Sequence, residues 1–149
     1  MRHLCLDGQR ESEIYMIASL SHITLIVTDL EKTAHFLRTI FDAQEVYDSK
    51  EKNFSISSEK FFIVGGTWIA IMKGASLSER SYNHVAFKVS ETQFDEYFLR
   101  VSQLGLEIKP GRERLNGEAR SIYFYDYDNH LFELHTGTLQ ERLSRYSNP

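Results

Sequence analysis

The chain contains the stretch SHITLIVT at residues 21–28, and 62 residues later it contains the similar stretch NHVAFKVS at residues 83–90. Each stretch starts with a small polar residue and a histidine and continues with β-branched and other apolar residues, which is typical of a strand. A match at a fixed offset indicates an internal repeat. We therefore predict two copies of one structural unit, each opened by a strand that begins at a histidine.

A helix is predicted after each of these strands, at the same offset. The patterns Thr28-x-x-Glu31 and Ser90-x-x-Gln93 are capping boxes, which mark helix starts. The tripeptide Phe-Leu-Arg recurs at residues 36–38 and 98–100. Apolar residues at helical spacing predict the buried faces, which are Leu30, Ala34, Leu37 and Phe41 in the first helix and Phe94, Phe98 and Val101 in the second.

Further strands are predicted after each helix. In the first half they cover residues 45–47, 54–57, 61–64 and 68–72, with a Gly-Gly hairpin turn at 65–66, and in the second half 106–109, 121–125 and 130–135, with a turn at 126–129. A last capping box, Thr138-x-x-Glu141, predicts a C-terminal helix at about 138–146. The pattern predicts an α+β fold of two βαβββ modules, at about 20–74 and 82–137, within one domain covering residues 16–149.

Composition excludes several classes of protein. The net charge is −4 and no basic stripe dominates, so a nucleic-acid partner is not expected. No apolar run approaches the roughly 20 residues of a membrane span. Residues 1–15 are polar and lack the apolar core of a secretory signal, so we predict a disordered extension. The single cysteine suits a reducing compartment, and we expect a cytoplasmic protein.

The two repeat histidines indicate a metal site. His22 and His84 hold equivalent positions, so modules packed about a pseudo-twofold axis would bring both imidazoles to one point, where they suit a divalent transition metal. The last strand of the second module offers Glu133 as a third ligand, and three protein ligands with a vacant side are typical of a catalytic metal. Two alternatives stay open, because Glu133 could face solvent and His135, on the same strand face, is a rival ligand.

Arginines near the C-terminus indicate anion binding, since guanidinium forks bind phosphate-like groups. Four basic residues, Lys109, Arg112, Arg114 and Arg120, form a cluster in a loop segment. A further pair, Arg142 and Arg145, lies in the predicted C-terminal helix. The alternative is a solvated basic loop. Glu59 precedes the apolar strand predicted at 61–64, and by pattern alone it is an exposed carboxylate at a strand edge.

The residues described so far match a known family. The matching stretches lie at residues 20–24, 58–62, 82–84, 120–126, 128–135 and 137–139, and the resemblance covers residues 16–146. The chain resembles the vicinal oxygen chelate superfamily and, within it, the fosfomycin-resistance proteins of the FosX type. These proteins inactivate fosfomycin, a small epoxide that bears a phosphonate.

The resemblance implies site residues and an assembly. It implies Mn²⁺, or another divalent metal, on His22, His84 and Glu133, with no organic cofactor. It implies a domain-swapped homodimer, in which one subunit supplies His22 and the other supplies His84 and Glu133. It implies that Glu59 is the general base that activates water. The substrate-binding residues that it implies are Thr24, Trp68, Ser121, Tyr123 and Arg142, to which we add Arg120 as a cation that could replace the K⁺ bound by glutathione-dependent relatives.

The function expected from the resemblance is a metal-dependent fosfomycin epoxide hydrolase. It would add water to the oxirane, give a vicinal diol and so confer fosfomycin resistance. One alternative is a transferase of glutathione or bacillithiol to fosfomycin on the same scaffold. Another is a binding protein that sequesters the drug without reaction, and the natural substrate could also be a related phosphonate or epoxide.

Overall fold

A computed structural model describes residues 16–52, 54–109 and 119–148. The first module consists of β1 (His22–Val27), α1 (Leu30–Phe41), β2 (Gln44–Asp48), β3 (Glu59–Val64) and β4 (Thr67–Lys73). The second consists of β5 (His84–Lys88), a 3-10 turn (Glu91–Gln93), α2 (Phe94–Gln103), β6 (Ile108–Lys109), β7 (Ser121–Tyr125) and β8 (Leu131–His135), and α3 (Leu139–Ser147) follows. The predicted α+β fold with two βαβββ modules is confirmed. The extension predicted at residues 1–15 lies outside the described residues, and the domain boundaries stay a prediction.

The two modules form sheets of the same topology. The strand orders are β1-β4-β3-β2 and β5-β8-β7-β6, so each sheet contains strands of one module only. In both sheets the first strand pairs in parallel with the last, and the remaining neighbours are antiparallel. The three-dimensional structure therefore carries the same duplication as the sequence. No helix in the described part of the chain is long and apolar enough to cross a bilayer.

The strand predicted at residues 54–57 is wrong. This segment forms bends, and the side chains of Phe54 and Ile56 are 82% and 91% exposed. Ser57 donates from its hydroxyl to the carbonyl of Lys73 at 2.7 Å, which ties the segment to the end of β4 without a strand ladder. The following strand begins at Glu59, two residues before the predicted start, and this places Glu59 inside the sheet.

The helix starts also differ in detail from the prediction. The N-cap of α1 is Asp29 and not Thr28, because the Asp29 carboxylate accepts from the backbone N–H of Lys32 at 3.0 Å. In the second module Ser90 occupies the N-cap position of the 3-10 turn that precedes α2, but its hydroxyl donates to the side chain of Gln93 and makes no capping bond to the backbone. The predicted burial of Phe98 is wrong as well, since its side chain is 43% exposed.

Helix α1 joins the two modules through the apolar core. Phe36 and Phe41, on its buried face, have their rings 5.1–6.1 Å from aromatic rings of the second module, among them Phe87, Phe124 and Phe132. Aromatic pairs at such distances add stabilisation beyond their buried area. The first module therefore needs the second for the burial of its own helix, which makes the core one continuous unit.

A buried carboxylate adds a polar link between the modules. Asp128, in the β7–β8 turn, is 1% exposed, and its Oδ1 accepts from the backbone N–H and the hydroxyl of Thr28, at 3.0 Å each, and from the hydroxyl of Ser76. Thr28 ends the first repeat stretch, so its polar groups serve this link and not the helix cap. This explains why the capping box predicted at Thr28 is displaced by one residue.

A buried lysine holds α1 against the edge of the first sheet. Lys60 is 3% exposed, and its Nζ lies 2.9 Å from Glu31 of α1, 2.9 Å from Glu45 and 3.0 Å from Asp48 of β2. Burial disfavours the charged amine, but the three carboxylates outweigh it, so the pKa of Lys60 lies above its ordinary value. The cation compensates three acids that would otherwise repel one another.

We expect Lys60→Met to lower the free energy of unfolding by about 1–3 kcal/mol, because it removes the buried cation that three neighbouring carboxylates share. Of the three, Glu45 keeps Arg38 at 3.1 Å. The loss is smaller than for a fully buried pair, since the carboxylate side chains are partly exposed. Urea unfolding followed by circular dichroism measures it, with Lys52→Met, at an exposed lysine, as the control. Equal unfolding midpoints for the two variants would contradict this role.

Candidate metal centre and active site

The predicted residues of the first module share one face of the first sheet. Strand pairing places His22 opposite Trp68 and Thr24 opposite Ala70. Glu59 lies opposite Met72 of β4. Met72 is two positions after Ala70 on that strand, so Glu59 lies on the same face of the sheet as Thr24 and Ala70. The opposite face carries the core residues between them, such as Ile69 and Ile71. His22, Thr24, Glu59 and Trp68 therefore project from one surface, away from the core.

Trp68 and His22 form the aromatic part of this surface. Their rings stack with centroids 4.2 Å apart, and Phe61 contacts the indole edge-on at 5.0 Å. The indole Nε1 is buried and has no hydrogen-bond partner in the part of the chain that the structure describes. A buried N–H donor is costly when it stays unsatisfied, so this atom is suited to an acceptor on a ligand. His22 and Thr24 are both exposed in the single chain.

Glu59 is held through its main chain. Its N–H donates to the hydroxyl of Ser49 at 3.0 Å, and its carbonyl accepts from the Ser49 N–H at 3.0 Å. The residue is only 8% exposed. The alternative of an exposed carboxylate at a strand edge is therefore wrong. A carboxylate on a fixed strand, next to the His22 and Trp68 surface, is placed for proton transfer to or from a bound molecule.

The predicted residues of the second module share one face of the second sheet. Tyr123 lies opposite Glu133, and Ser121 lies opposite His135. Glu133 is 4% exposed, while its neighbours Phe132 and Leu134 point into the core on the other face. The alternative that Glu133 faces solvent is therefore wrong. The carboxylate is buried among polar side chains.

His84 and Glu133 form a pair that suits a cation. The Nδ1 of His84 donates to the backbone carbonyl of Tyr82 at 2.7 Å, because a carbonyl oxygen only accepts. The Nε2 of His84 lies 3.0 Å from Oε2 of Glu133. When Nε2 carries no proton, both atoms present a lone pair to the space between them, which a cation can occupy. A ligand histidine commonly donates its other N–H to a carbonyl, and an imidazole with a carboxylate suits several divalent metals, so the pair fits one.

The second oxygen of Glu133 is held by Ser121. The Ser121 hydroxyl donates to Oε1 at 2.7 Å. Burial raises the pKa of the Glu133 carboxyl, but the hydrogen bonds from Ser121 and Tyr123 and the charges of His135 and His84 outweigh it, so the pKa lies below its ordinary value. The carboxylate is thus ionised near neutral pH, as a metal ligand must be.

Tyr123 is held as a neutral hydroxyl beside the same carboxylate. It is 4% exposed, and its hydroxyl accepts from that of Tyr82 at 3.2 Å. Burial, followed by the hydrogen bonds to Tyr82 and Glu133, raises the pKa of the Tyr123 phenol well above its ordinary value. Sequence reasoning did not assign a role to Tyr82. Its position two residues before His84 is the sequence signal that could have found it. The ring centroids of Tyr82 and His84 are 4.8 Å apart.

A cavity of about 290 Å³ lies next to these groups. Its lining includes His84, Glu133 and, from α3, Arg142. The capping box that starts α3 is confirmed, because the Thr138 hydroxyl accepts from the N–H of Glu141 at 3.2 Å. The helix start therefore sets where Arg142 projects, and a guanidinium next to an imidazole–carboxylate pair favours a small anionic ligand.

Arg120 is engaged elsewhere. Its guanidinium lies 2.7 Å from Glu91 and 3.0 Å from Asp95, at the start of α2, and covers the ring of Phe94 at 4.3 Å. It does not line the cavity that contains Arg142. Its predicted cluster partners Arg112 and Arg114 lie outside the described residues.

His22 does not join His84 and Glu133 within one chain. Over residues 16–52, 54–109 and 119–148, no three His, Cys, Asp or Glu side chains come together as a metal site. His22 stands in the first sheet and the other two in the second, and no strand pairing connects these sheets. The chain by itself therefore presents two half-sites.

Comparisons with known proteins identify the family of the chain. The model of the Glyoxalase/Bleomycin resistance protein/Dioxygenase superfamily matches residues 19–134. Fosfomycin resistance protein FosX of Listeria innocua is 63% identical over 131 residues, which are 88% of this chain and 98% of that protein. FosX of Mesorhizobium japonicum is 59% identical over 130 residues, which are 87% and 94% of the two chains.

A solved structure gives the same result. The crystal structure of a FosX variant from Listeria monocytogenes, in complex with Mn(II) and 1S,2S-dihydroxypropylphosphonic acid, is 59% identical, with a TM-score of 0.80 over 88% of this chain and 99% of that one. Both the sequence and the fold match over nearly the whole length of these relatives. The chain therefore belongs to the Glyoxalase/Bleomycin resistance protein/Dioxygenase superfamily and, within it, to the FosX family of fosfomycin resistance proteins.

Proposed function

We propose that the protein is an Mn²⁺-dependent fosfomycin epoxide hydrolase. One observation carries the proposal: the FosX structure of 59% identity holds Mn(II) and a dihydroxypropylphosphonic acid. A vicinal diol is what forms when water, and not a thiol, opens the oxirane of fosfomycin. Hydration of the oxirane benefits from a base that activates water. Glu59 is a buried carboxylate on the sheet face that also carries His22 and Trp68. The absence of a membrane-spanning helix in the described residues is compatible with a cytoplasmic enzyme.

The metal would be held by His84 and Glu133 of one chain and His22 of a second chain, in a homodimer. Two observations support this assembly. Among the described residues, no further His, Cys, Asp or Glu side chain completes a metal site with His84 and Glu133. His22 and Thr24 are exposed on the other sheet. Once bound, the cation supplies Lewis-acid polarisation of the substrate oxygens. The protein supplies the orientation of its ligands, through Tyr82 at His84 and Ser121 at Glu133.

Substrate binding falls to groups that surround this centre. Arg142 would hold the phosphonate as a donor beside the metal pair, and the neutral Tyr123 hydroxyl would join it by turning to the phosphonate the proton that it otherwise donates to Glu133. From the other sheet Trp68 would donate from its unpartnered Nε1, and Thr24 from its exposed hydroxyl. We no longer assign Arg120 to the substrate, because its guanidinium is bound to Glu91 and Asp95. Ser121 acts through Glu133, to which it donates its only hydroxyl proton.

Glu59 would act as the general base. Its carboxylate takes one proton from water while the water oxygen forms a bond to an oxirane carbon. The carbon–oxygen bond of the ring breaks, and its electron pair stays on the ring oxygen. That oxygen takes up a proton from solvent water to complete the diol, and Glu59 releases its own proton to solvent. Water is a weak nucleophile at neutral pH and gains from proton removal, whereas a thiol ionises by itself more readily.

A phosphorus NMR assay tests this function. Metal-stripped protein should leave fosfomycin unchanged, and added Mn²⁺ without any thiol should give catalytic amounts of the diol. Turnover that begins only with glutathione or bacillithiol would replace the proposal with a thiol transferase. Stoichiometric binding without product would indicate a drug-binding protein.

A further inference from the structure

The two oxygens of the Glu133 carboxylate have different partners. Oε2 faces Nε2 of His84 at 3.0 Å, on the side of the proposed metal. Oε1 accepts from the Ser121 hydroxyl at 2.7 Å. That hydroxyl also contacts Nδ1 of His135 at 2.7 Å, whereas Nδ1 lies farther from Oε1 itself, at 3.5 Å. His135 lies two residues after Glu133 on the same strand face. The three side chains thus form a continuous chain of hydrogen bonds.

The chemistry of the groups fixes the direction of this chain. An ionised carboxylate only accepts hydrogen bonds, so Ser121 must donate to Glu133. The serine hydroxyl has one proton, and it is used in that bond. The contact with His135 therefore requires a proton on Nδ1 of His135, which donates to the serine oxygen. If His135 carried its proton only on Nε2, its Nδ1 would be an acceptor and would compete with Glu133 for the serine proton.

The His135 ring has little freedom to leave this position. Its side chain is 15% exposed. A Cβ atom placed on Gly137 would lie 2.8 Å from Nε2 of His135 and 2.6 Å from Cβ of Ala119, so glycine provides the space that the ring occupies. Serine and glycine confine the ring from two sides, which makes its orientation a fixed feature of the site.

We propose that His135 is a positioning residue that acts through Ser121 on the metal ligand Glu133. By donating to the serine, it keeps the serine proton directed at Oε1, and this holds the orientation in which the carboxylate faces His84 through Oε2. The inference rests on the proposed function in that it takes Glu133 as a metal ligand.

The tautomer of His135 tests the direction of the chain without any metal. In the metal-free protein, nitrogen-15 NMR of labelled histidine rings should show a proton on Nδ1 of His135. The His135→Gln variant identifies its signal, and the His35→Gln variant identifies an exposed histidine for comparison. A ring with its proton on Nε2 alone would overturn the inference.

Amide substitutions test the effect on the metal, with Mn²⁺ affinity measured by electron paramagnetic resonance. The amide of an asparagine reaches the place of Nδ1, while that of a glutamine reaches the place of Nε2. His135→Asn should keep the affinity within about threefold, and His135→Gln should weaken it by about 10–100-fold, as losses of such supporting hydrogen bonds do. His35→Gln should match the wild type, and excess Mn²⁺ should restore most of the activity of His135→Gln.

The outcomes separate this inference from the proposed function. Equal Mn²⁺ affinities in all of these proteins would overturn the role of His135, whatever their activity. Equal losses in His135→Asn and His135→Gln would also overturn it, because they would make His135 a ligand or a packing residue. Mn²⁺ binding without fosfomycin turnover in the wild type would contradict the hydrolase, while the affinities would still decide the role of His135.

Discussion

Glu59→Gln is expected to lower the rate of fosfomycin hydration by about 10²–10⁴-fold, the usual contribution of a general base. The substitution keeps the size of the side chain and removes its ability to accept a proton. Mn²⁺ affinity should be unchanged, because Glu59 is not among the proposed ligands. The fold should be kept as well, since the backbone bonds with Ser49 do not involve the carboxylate.

The assay compares diol formation by phosphorus NMR with Mn²⁺ affinity in the same preparations. Glu79→Gln, at an exposed carboxylate, is the matched control and should behave like the wild type. A variant that loses metal affinity and hydration in equal measure would identify Glu59 as structural. A variant that hydrates at the wild-type rate would remove it from the mechanism.

The second large effect concerns the sharing of the site between two chains. His22→Ala and His84→Ala should each abolish hydration, because each removes one of three ligands from both sites of a homodimer. A heterodimer of these two variants has one site that lacks both histidines and one site that is intact. When isolated through two different tags, it should show about half of the wild-type activity, as the twofold symmetry requires.

A second heterodimer serves as the control. When one chain carries His84→Ala and the other Glu133→Ala, each site lacks one ligand, so no activity is expected. If the ligands came from one chain, the first heterodimer would be as inactive as the second, and the shared site would be refuted. Sedimentation that finds a fully active monomer would refute it equally.

The local patterns of the sequence predicted most of the fold. The repeat of SHITLIVT and NHVAFKVS fixed the two modules, and alternation in the last strand predicted that Glu133 faces away from Phe132 and Leu134. These features depend on neighbours along the chain, and periodicity records them directly. The prediction failed at residues 54–57, where the local preference for a strand was weak. The apolar side chains of this segment are exposed and do not pack on a sheet.

The tertiary structure decided what the candidate residues contact. Thr28 reads as a helix cap, yet it bonds to Asp128, which lies 100 residues away. Arg120 reads as an anion ligand, yet Glu91 and Asp95 hold it. Such partners meet only when sheets and helices pack, and no spacing along the chain encodes them.

By itself the sequence determined the two-module α+β fold, the strands that carry His22, His84 and Glu133, and the family. The tertiary structure alone decided that Glu59 is buried. It also placed His22 apart from His84 and Glu133 within one chain, as the resemblance implied and the repeat pattern did not. The physical reason is the range of the interactions. Strand and helix faces follow from the repeat of the backbone over a few residues, whereas burial and the grouping of polar atoms follow from distances across the folded molecule.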